Sequence, residues 1–222
     1  MIQAVAFDLD DTLVVTSRDR ETLLSDATAR AGVDEAIDRE DYLEAHREHS
    51  GAESRRPIFE ALVDERETAA ALTRAYRESV SEAMETVDGA ESLLSALEHE
   101  YRLGLLTDGP ERTQRDKLRR LGWTDAFDAV VVTGGIGAPK PEVGSFVALA
   151  DALGVQPSAV VYVGDDPDRD VTGAATAGMT PIQVVYGGGP PTHPLAARTV
   201  RRPNLASLPG LVEGLADGPD DA

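Results

Sequence analysis

The sequence predicts an α/β protein: a doubly wound parallel sheet interrupted, after its first strand, by a helical insertion. Three observations predict it. Five short apolar runs, Ala4–Leu9, Leu103–Thr107, Ala129–Thr133, Val160–Gly164 and Ile182–Tyr186, are of strand length and too continuous for a sheet with one wet face. Such runs suit parallel strands buried on both sides. Helical patterns separate the later runs, and strand–helix alternation is the signature of a doubly wound sheet. Between Val15 and Val87 the pattern changes to helical stretches full of Glu, Arg and Ala, with no convincing strand.

Each element has a local reason. In the insertion, apolar residues of Ala69–Met84 recur at helical spacing. After it, Leu93, Leu94 and Leu97 share one helical face, with Asp88 placed to cap the N-terminus. Pro110 opens the next helix and Gly122 stands where a left-handed C-terminal cap is wanted. Pro141 to Leu153 repeats that design and ends at Gly154. The expected organisation is a core of residues 1–14 and 88–215, a helical insertion of residues 15–87, and an acidic disordered tail of residues 216–222, ADGPDDA from Ala216 onward.

Composition excludes several functions. With no cysteine there is no disulfide, thiolate nucleophile or sulfur-ligated metal. No apolar run approaches the roughly 20 residues a bilayer span needs, and the N-terminus lacks the basic region of a signal peptide. A cytoplasmic, monomeric protein without membrane partners is the expectation. The formal charge of −19, from 40 acidic and 21 basic residues, is the wrong sign for binding nucleic acid. Only Lys117 and Lys140 are lysines; the other basic residues are arginine. Acid-rich, lysine-poor composition is similar to that of proteins from salt-loving organisms. Self-repulsion of this size weakens the folded state most where screening is least. The melting temperature is therefore expected to be higher in molar KCl than in dilute buffer, and a flat or falling curve with salt rejects the halophilic reading.

The chemistry-bearing residues cluster at strand ends, where open parallel sheets bind ligands. The first strand runs into Asp8-Leu9-Asp10-Asp11-Thr12. Two carboxylates ~4 Å apart repel by about 4 kcal/mol at an effective dielectric near 20. A cation or a retained proton must relieve this, and oxygen-only ligands favour a hard cation, Mg²⁺. Thr107-Asp108-Gly109 brings a hydroxyl and backbone N–H groups to a helix N-terminus, a ready anion site. Lys140 lies between Pro139 and Pro141 at another helix start, and Gly164-Asp165-Asp166-Pro167-Asp168-Arg169-Asp170 adds a second acidic cluster.

On these motifs the chain resembles the haloacid dehalogenase-like hydrolase superfamily. The DxDxT motif matches Asp8 to Thr12, the second motif's hydroxyl matches Thr107, the third motif's lysine matches Lys140, and GDxxxxD matches Gly164, Asp165 and Asp170. The resemblance implies a Rossmann-like core, with the insertion as a small helical cap domain. It implies a Mg²⁺-dependent phosphatase acting on a small phosphorylated metabolite, phosphoglycolate phosphatase-like in its branch. Asp8 would be the nucleophile and Asp10 the general acid and base, holding a proton above the usual carboxylate range. Mg²⁺ would be held by Asp8, the Asp10 carbonyl and Asp165, with Asp170 behind them. Thr107, Asp108 and Lys140 would hold the phosphoryl oxygens. Asp108 departs from the more usual Asn, and its charge suits a phosphate only if it points away. From the cap, Arg55 and Arg56 would reach an anionic substrate.

Other signals fail. Gly134-Gly135-Ile136-Gly137 lacks the last glycine of a dinucleotide fingerprint. Gly187-Gly188-Gly189 leads into Pro-Pro and reads as a loop. His46 and His49 flank Glu48 in the wrong order for a helical zinc site and read as a solvated face. A phosphomutase shares the four motifs. A 2-haloacid dehalogenase shares the nucleophile but gains nothing from an acid at position 10. A phospho-acceptor receiver domain would be shorter, without the insertion. A non-catalytic binding protein is the remaining rival.

Overall fold

The computed structural model describes residues 1–49 and 54–216. Strand β1 (Ala4–Phe7) is followed by a short β2 (Val14–Thr16), then by helices α1 (Arg20–Ala31), α2 (Arg39–Glu48), α3 (Arg56–Glu60) and α4 (Arg66–Ala83), and by β3 (Met84–Thr86). The chain continues through α5 (Ala90–Leu97), β4 (Arg102–Thr107), α6 (Glu111–Leu121), β5 (Ala129–Val132), α7 (Thr133–Ile136) and α8 (Val143–Leu153). It ends with β6 (Val160–Gly164), α9 (Gly173–Thr176), β7 (Thr180–Val185), β8 (Arg198–Arg201) and α10 (Leu208–Ala216).

The main sheet has six strands in the order β5-β4-β1-β6-β7-β8, every pairing parallel. The order reverses beside β1, which puts β1 between β4 and β6 and creates the switch point where such sheets bind ligands. Alternate residues of each strand enter opposite clusters. Val5, Phe7, Leu105, Val161 and Val163 face one cluster, while Ala4, Ala6, Leu106, Val160 and Tyr162 face the other. Burial on both faces explains the uninterrupted apolar runs.

Helices α1 to α4 enclose a third cluster of their own, built on Leu23, Leu24, Tyr42, Phe59, Leu72 and Tyr76. In α4 the buried Ala69, Leu72, Tyr76, Ser79 and Ala83 follow helical spacing. Asp19 and Asp38 cap α1 and α2 through side-chain bonds to backbone N–H groups. No described helix is long and apolar enough to cross a membrane.

Several expectations need correction. The 15–87 segment is not free of strands: β2 and β3 pair antiparallel, Val14 opposite Thr86, where the chain leaves and re-enters the sheet region. Three residues per strand are too few to show a period of two. The sixth strand, Arg-Thr-Val-Arg, was not expected either; it is an edge strand with only Val200 buried, and edges are often kept short and charged. Asp88 is not a cap, since Gly89 takes the N-cap position with φ 83°. Pro110 and Gly122 do bound α6, and Gly154 ends α8. Ala216 closes α10 rather than opening the tail, and residues 217–222 lie outside the described residues.

Candidate active site

The carboxyl ends of β1, β4 and β6 open onto one cleft of ≈ 360 Å³, roofed by residues of the helical insertion. Asp8, Asp10, Thr107, Asp108, Lys140, Asp165 and Asp170 all line it. Sheet pairing carries one residue past β1, because the Asp8 N–H donates to the Val163 carbonyl at 2.9 Å. The chain then doubles back. The Leu9 carbonyl accepts from both Leu13 and Val14 N–H at 3.0 Å, and Asp11 takes a left-handed φ of 63°. Asp tolerates that conformation better than most residues. The loop buries Leu9, Thr12 and Leu13 and turns Asp8 and Asp10 into the cleft.

Three buried carboxylates converge. Asp8, Asp165 and Asp170 each offer an oxygen within 4.8 Å of the others. Lys140 Nζ donates to Asp8 Oδ1 and to Asp170 Oδ1, both at 2.6 Å, with the lysine side chain 3% exposed. Tyr162 Oη, itself buried, bonds Asp170 Oδ1 at 3.3 Å. Asp170 lies against the backbone at Gly164, where a Cβ would stand 2.4 Å from its carboxyl carbon. Only glycine fits there. Asp166 is spent locally, accepting from the N–H groups of Asp168 and Arg169.

The electrostatics follow from this packing. Burial works to lower the Lys140 pKa, but Asp170 and then Asp8 overcome it, and Lys140 stays charged with its pKa well above the usual range. With only that lysine to balance them, burial pushes Asp8 up, against the pull of Lys140 and with help from Asp170 and Asp165. Burial, Asp170 and Asp11 raise Asp165 to about 7, although Tyr186 and Lys140 pull the other way. Three carboxylates against one lysine leave two negative charges unbalanced, in an all-oxygen site. That donor set fits one divalent hard cation such as Mg²⁺.

Asp10 belongs to a different pair. Both its oxygens accept from Lys117 Nζ at 2.6 Å, and Gln114 Nε2 donates to Oδ2 at 2.9 Å. Burial would raise its pKa, but the charge and hydrogen bond of Lys117, then Gln114, lower it below the ordinary value. This corrects the expectation of a raised pKa: the lysine partner was not foreseen. The same Gln114 Nε2 bonds the Thr107 hydroxyl at 2.6 Å, so one side chain ties the β4 hydroxyl to Asp10.

The family model of the haloacid dehalogenase-like hydrolases matches residues 5–184. The chain belongs to the haloacid dehalogenase-like hydrolases. It is 32% identical over 201 residues to the glyceraldehyde 3-phosphate phosphatase of Methanopyrus kandleri, covering 84% of this chain and 85% of that protein. Among solved structures, the HAD phosphatase of Thermococcus onnurineus superposes with a TM-score of 0.72 at 26% identity, covering 96% of this chain and 99% of that one. The 2-haloacid dehalogenase of Pseudomonas syringae gives the same TM-score and identity, covering 97% and 100%.

In this hydrolase the Asp108 carboxylate is taken up by the Lys140 loop and its neighbours. Its Oδ1 accepts from the Thr133 hydroxyl at 2.9 Å and the Lys140 N–H at 3.0 Å, and Arg169 lies 3.4 Å from Oδ2. It fastens the Lys140 loop to β4, which an Asn could do with its amide oxygen. Gly134 supports the same junction, since a Cβ there would sit 2.4 Å from the Gly109 carbonyl oxygen. The Gly-Gly pair thus lets α7 approach the turn between β4 and α6 closely.

The insertion side separates the two arginines expected to meet the hydrolase's substrate. Arg55 lines the cleft. Arg56 does not; it pairs with Glu60 at 2.9 Å on the exposed face of α3. His46 and His49 line the cleft rather than a solvated face. Burial, then the charges of Arg55, Arg20 and Arg169, lowers the His46 pKa to about 4.

Four residues that contact the aspartates of the site were not foreseen. Lys117 had a readable signal: with only two lysines in the chain, the argument applied to Lys140 applied equally to it. Gln114 carried none, being a Gln in a polar helix. Tyr186 donates to Asp165 Oδ2 at 3.1 Å, and Arg202 lies 3.3 Å above its ring while bonding the Asp11 carbonyl. Tyr186 and Arg202 come from the ends of β7 and β8, and the latter strand was itself unforeseen.

Proposed function

We propose that this hydrolase is a Mg²⁺-dependent phosphatase of small phosphate monoesters working through an aspartyl phosphate. One observation carries the reading: Lys140 bridges the nucleophile Asp8 to Asp170 inside a cluster with two unbalanced negative charges. Asp8, Asp165 and the Asp10 carbonyl would hold the cation, with Asp170, bonded to Lys140 and the Asp166 N–H, behind them; when bound the cation neutralises charge on the phosphoryl oxygens and the carboxylates. Asp8 attacks phosphorus in line, a P–O bond forms to its carboxylate, and the ester oxygen leaves. Lys140 and Thr107 hold non-attacking oxygens. Asp10 protonates the leaving oxygen and later takes a proton from the water that opens the acyl phosphate. In the geometry described, Lys117 keeps Asp10 ionised, the form needed for the second step. The incoming phosphate's negative charge favours the protonated form needed for the first. The helical insertion, residues 15–87, serves as a cap that closes the cleft and selects the leaving group. The glyceraldehyde 3-phosphate phosphatase named above makes a three-carbon ester a natural first substrate.

The test is hydrolysis of 4-nitrophenyl phosphate. Turnover is expected with Mg²⁺ and is expected to vanish in EDTA. Chloroacetate dechlorination without phosphate release would instead establish the dehalogenase reading, and stoichiometric labelling without turnover the phospho-acceptor.

Cation binding should also depend on pH. Asp165 has a folded pKa of about 7, above the unfolded value near 3.9. Its contribution to stability is therefore complete at acid pH and lost as pH rises through about 7. A cation must displace that proton, so roughly tenfold more Mg²⁺ is needed for half-maximal thermal stabilisation at pH 6 than at pH 8. An unchanged or inverted requirement contradicts the assignment of Asp165.

A further inference from the structure

The cleft is polarised. Its core side carries seven aspartates, Asp8, Asp10, Asp11, Asp108, Asp165, Asp166 and Asp170. The insertion holds eighteen acidic residues between positions 15 and 87. Yet among the described residues the polar groups it presents to the cleft are Arg20, His46, His49, Ser54, Arg55 and Tyr76, with Thr16 at the edge, and none of these is a carboxylate.

Arg20 and Arg55 differ from other arginines of the insertion. Arg18 pairs with Asp26, Arg30 with Glu82 and Arg56 with Glu60. Arg39, Arg47, Arg66 and Arg74 are exposed, where water solvates them, and the half-buried Arg77 does not line the cleft. Arg20 and Arg55 are half-buried, and among the described residues neither has a carboxylate within ion-pair distance. Partly desolvating a guanidinium without an anion is costly.

A single aromatic pair holds both. Tyr42 and Tyr76 are buried with ring centroids 5.2 Å apart. Arg20 lies over Tyr42 at 5.7 Å, and Arg55 lies over Tyr76 at 5.3 Å while donating to Tyr42 Oη at 2.7 Å. Stacking on rings leaves the forks of planar guanidinium groups free to bind an oxyanion. Contact neutralisation of the core aspartates does not account for them. Asp10 already has Lys117 at 2.6 Å, and Asp11 has Arg202 at 3.8 Å.

We infer that Arg20 and Arg55 form a second anion subsite, so that the preferred substrates are phosphate monoesters whose leaving group bears its own carboxylate or phosphate. The inference rests on the phosphatase reading for the position of the transferred phosphoryl group, which sits at Asp8 and Lys140 while the second anion sits under the insertion. His46, whose ring lies 6.1 Å from that of Tyr42, lines the same part of the cleft.

The experiment compares glycerol 3-phosphate, which has no second anion, with 3-phosphoglycerate, which adds a carboxylate, and propane-1,3-diol bisphosphate, which adds a phosphate. Both kcat/KM with Mg²⁺ and calorimetric Kd on the Asp8→Asn variant are measured. At least one of the two esters with a second anionic group is expected to be favoured about tenfold or more, since one charge-assisted arginine contact contributes about that much. Which one is favoured distinguishes carboxylate from phosphate. Arg55→Met and, independently, Arg20→Met should each cut that preference at least severalfold, whereas Arg74→Met on the exposed face of α4 should not. Equal affinity for all three esters, or a preference untouched by both cleft variants, overturns the subsite. If no ester turns over, the phosphatase reading fails, while the Kd ratios still decide the subsite: a ratio near one rejects it.

Discussion

Replacing Asp8 by Asn is expected to abolish turnover of 4-nitrophenyl phosphate while leaving the fold as stable as before or more so. The amide matches the carboxylate in shape and can still accept from Lys140, so the packing that holds Asp8 survives. It cannot act as a nucleophile toward phosphorus, and removing a nucleophile costs roughly 10⁴-fold or more in rate. The stability half follows from the sign of the shift. Burial, with Asp170 and Asp165, holds the Asp8 pKa above its unfolded value. A raised folded pKa means the folded state binds the proton more tightly, and that advantage disappears as pH climbs past the folded value. Asn carries no proton to lose. The variant's melting temperature, read against the parent's, is thus expected to rise from acid toward alkaline pH. Near-parental turnover would remove Asp8 from the mechanism; lost turnover with a collapsed melting temperature would show a packing role instead.

Much of this site was legible because its chemistry sits in short local motifs. The positions of Asp8, Thr107 and Asp165 follow from strand ends, and parallel strands must bring those ends to one edge, while Lys140 was marked by its place between two prolines at a helix start. Pairings made across the fold were harder to read. Nothing local says that Lys117 on α6 reaches Asp10, a separation of 107 residues, or that this contact reverses the direction of the Asp10 shift. Asp108 illustrates the same limit. Its departure from the usual Asn was visible, but the Thr133 hydroxyl and Lys140 N–H that absorb it belong to α7 and the loop after it, whose approach depends on Gly134. The roof was least legible. Arg55 and Arg56 are adjacent and chemically identical, and only the start of α3 sends one into the cleft and the other to Glu60.

Lys140→Met is expected to have the largest effect on stability. The lysine is buried between two carboxylates that are themselves 8% and 2% exposed. Methionine fills nearly the same space but leaves Asp8 and Asp170 facing each other with no cation. Removing one partner from a buried ionic group costs about 3–5 kcal/mol, far more than the intact group contributes over an apolar replacement. For a chain of this length each kcal/mol moves the melting temperature by about 2–4 °C, so a fall of roughly 6–20 °C is expected at neutral pH. The loss should shrink in acid. Without Lys140 the two acids repel unopposed, and protonation in acid removes charge that the lysine balanced. Added Mg²⁺ should recover part of the stability at pH 8 but little at pH 5, because the cation competes with those protons. Urea unfolding of parent and variant at the two pH values reads all of this directly. Equal stability at pH 8 would mean that Lys140 does not hold the cluster together, and the charge imbalance behind the cation assignment would have to be recounted without it.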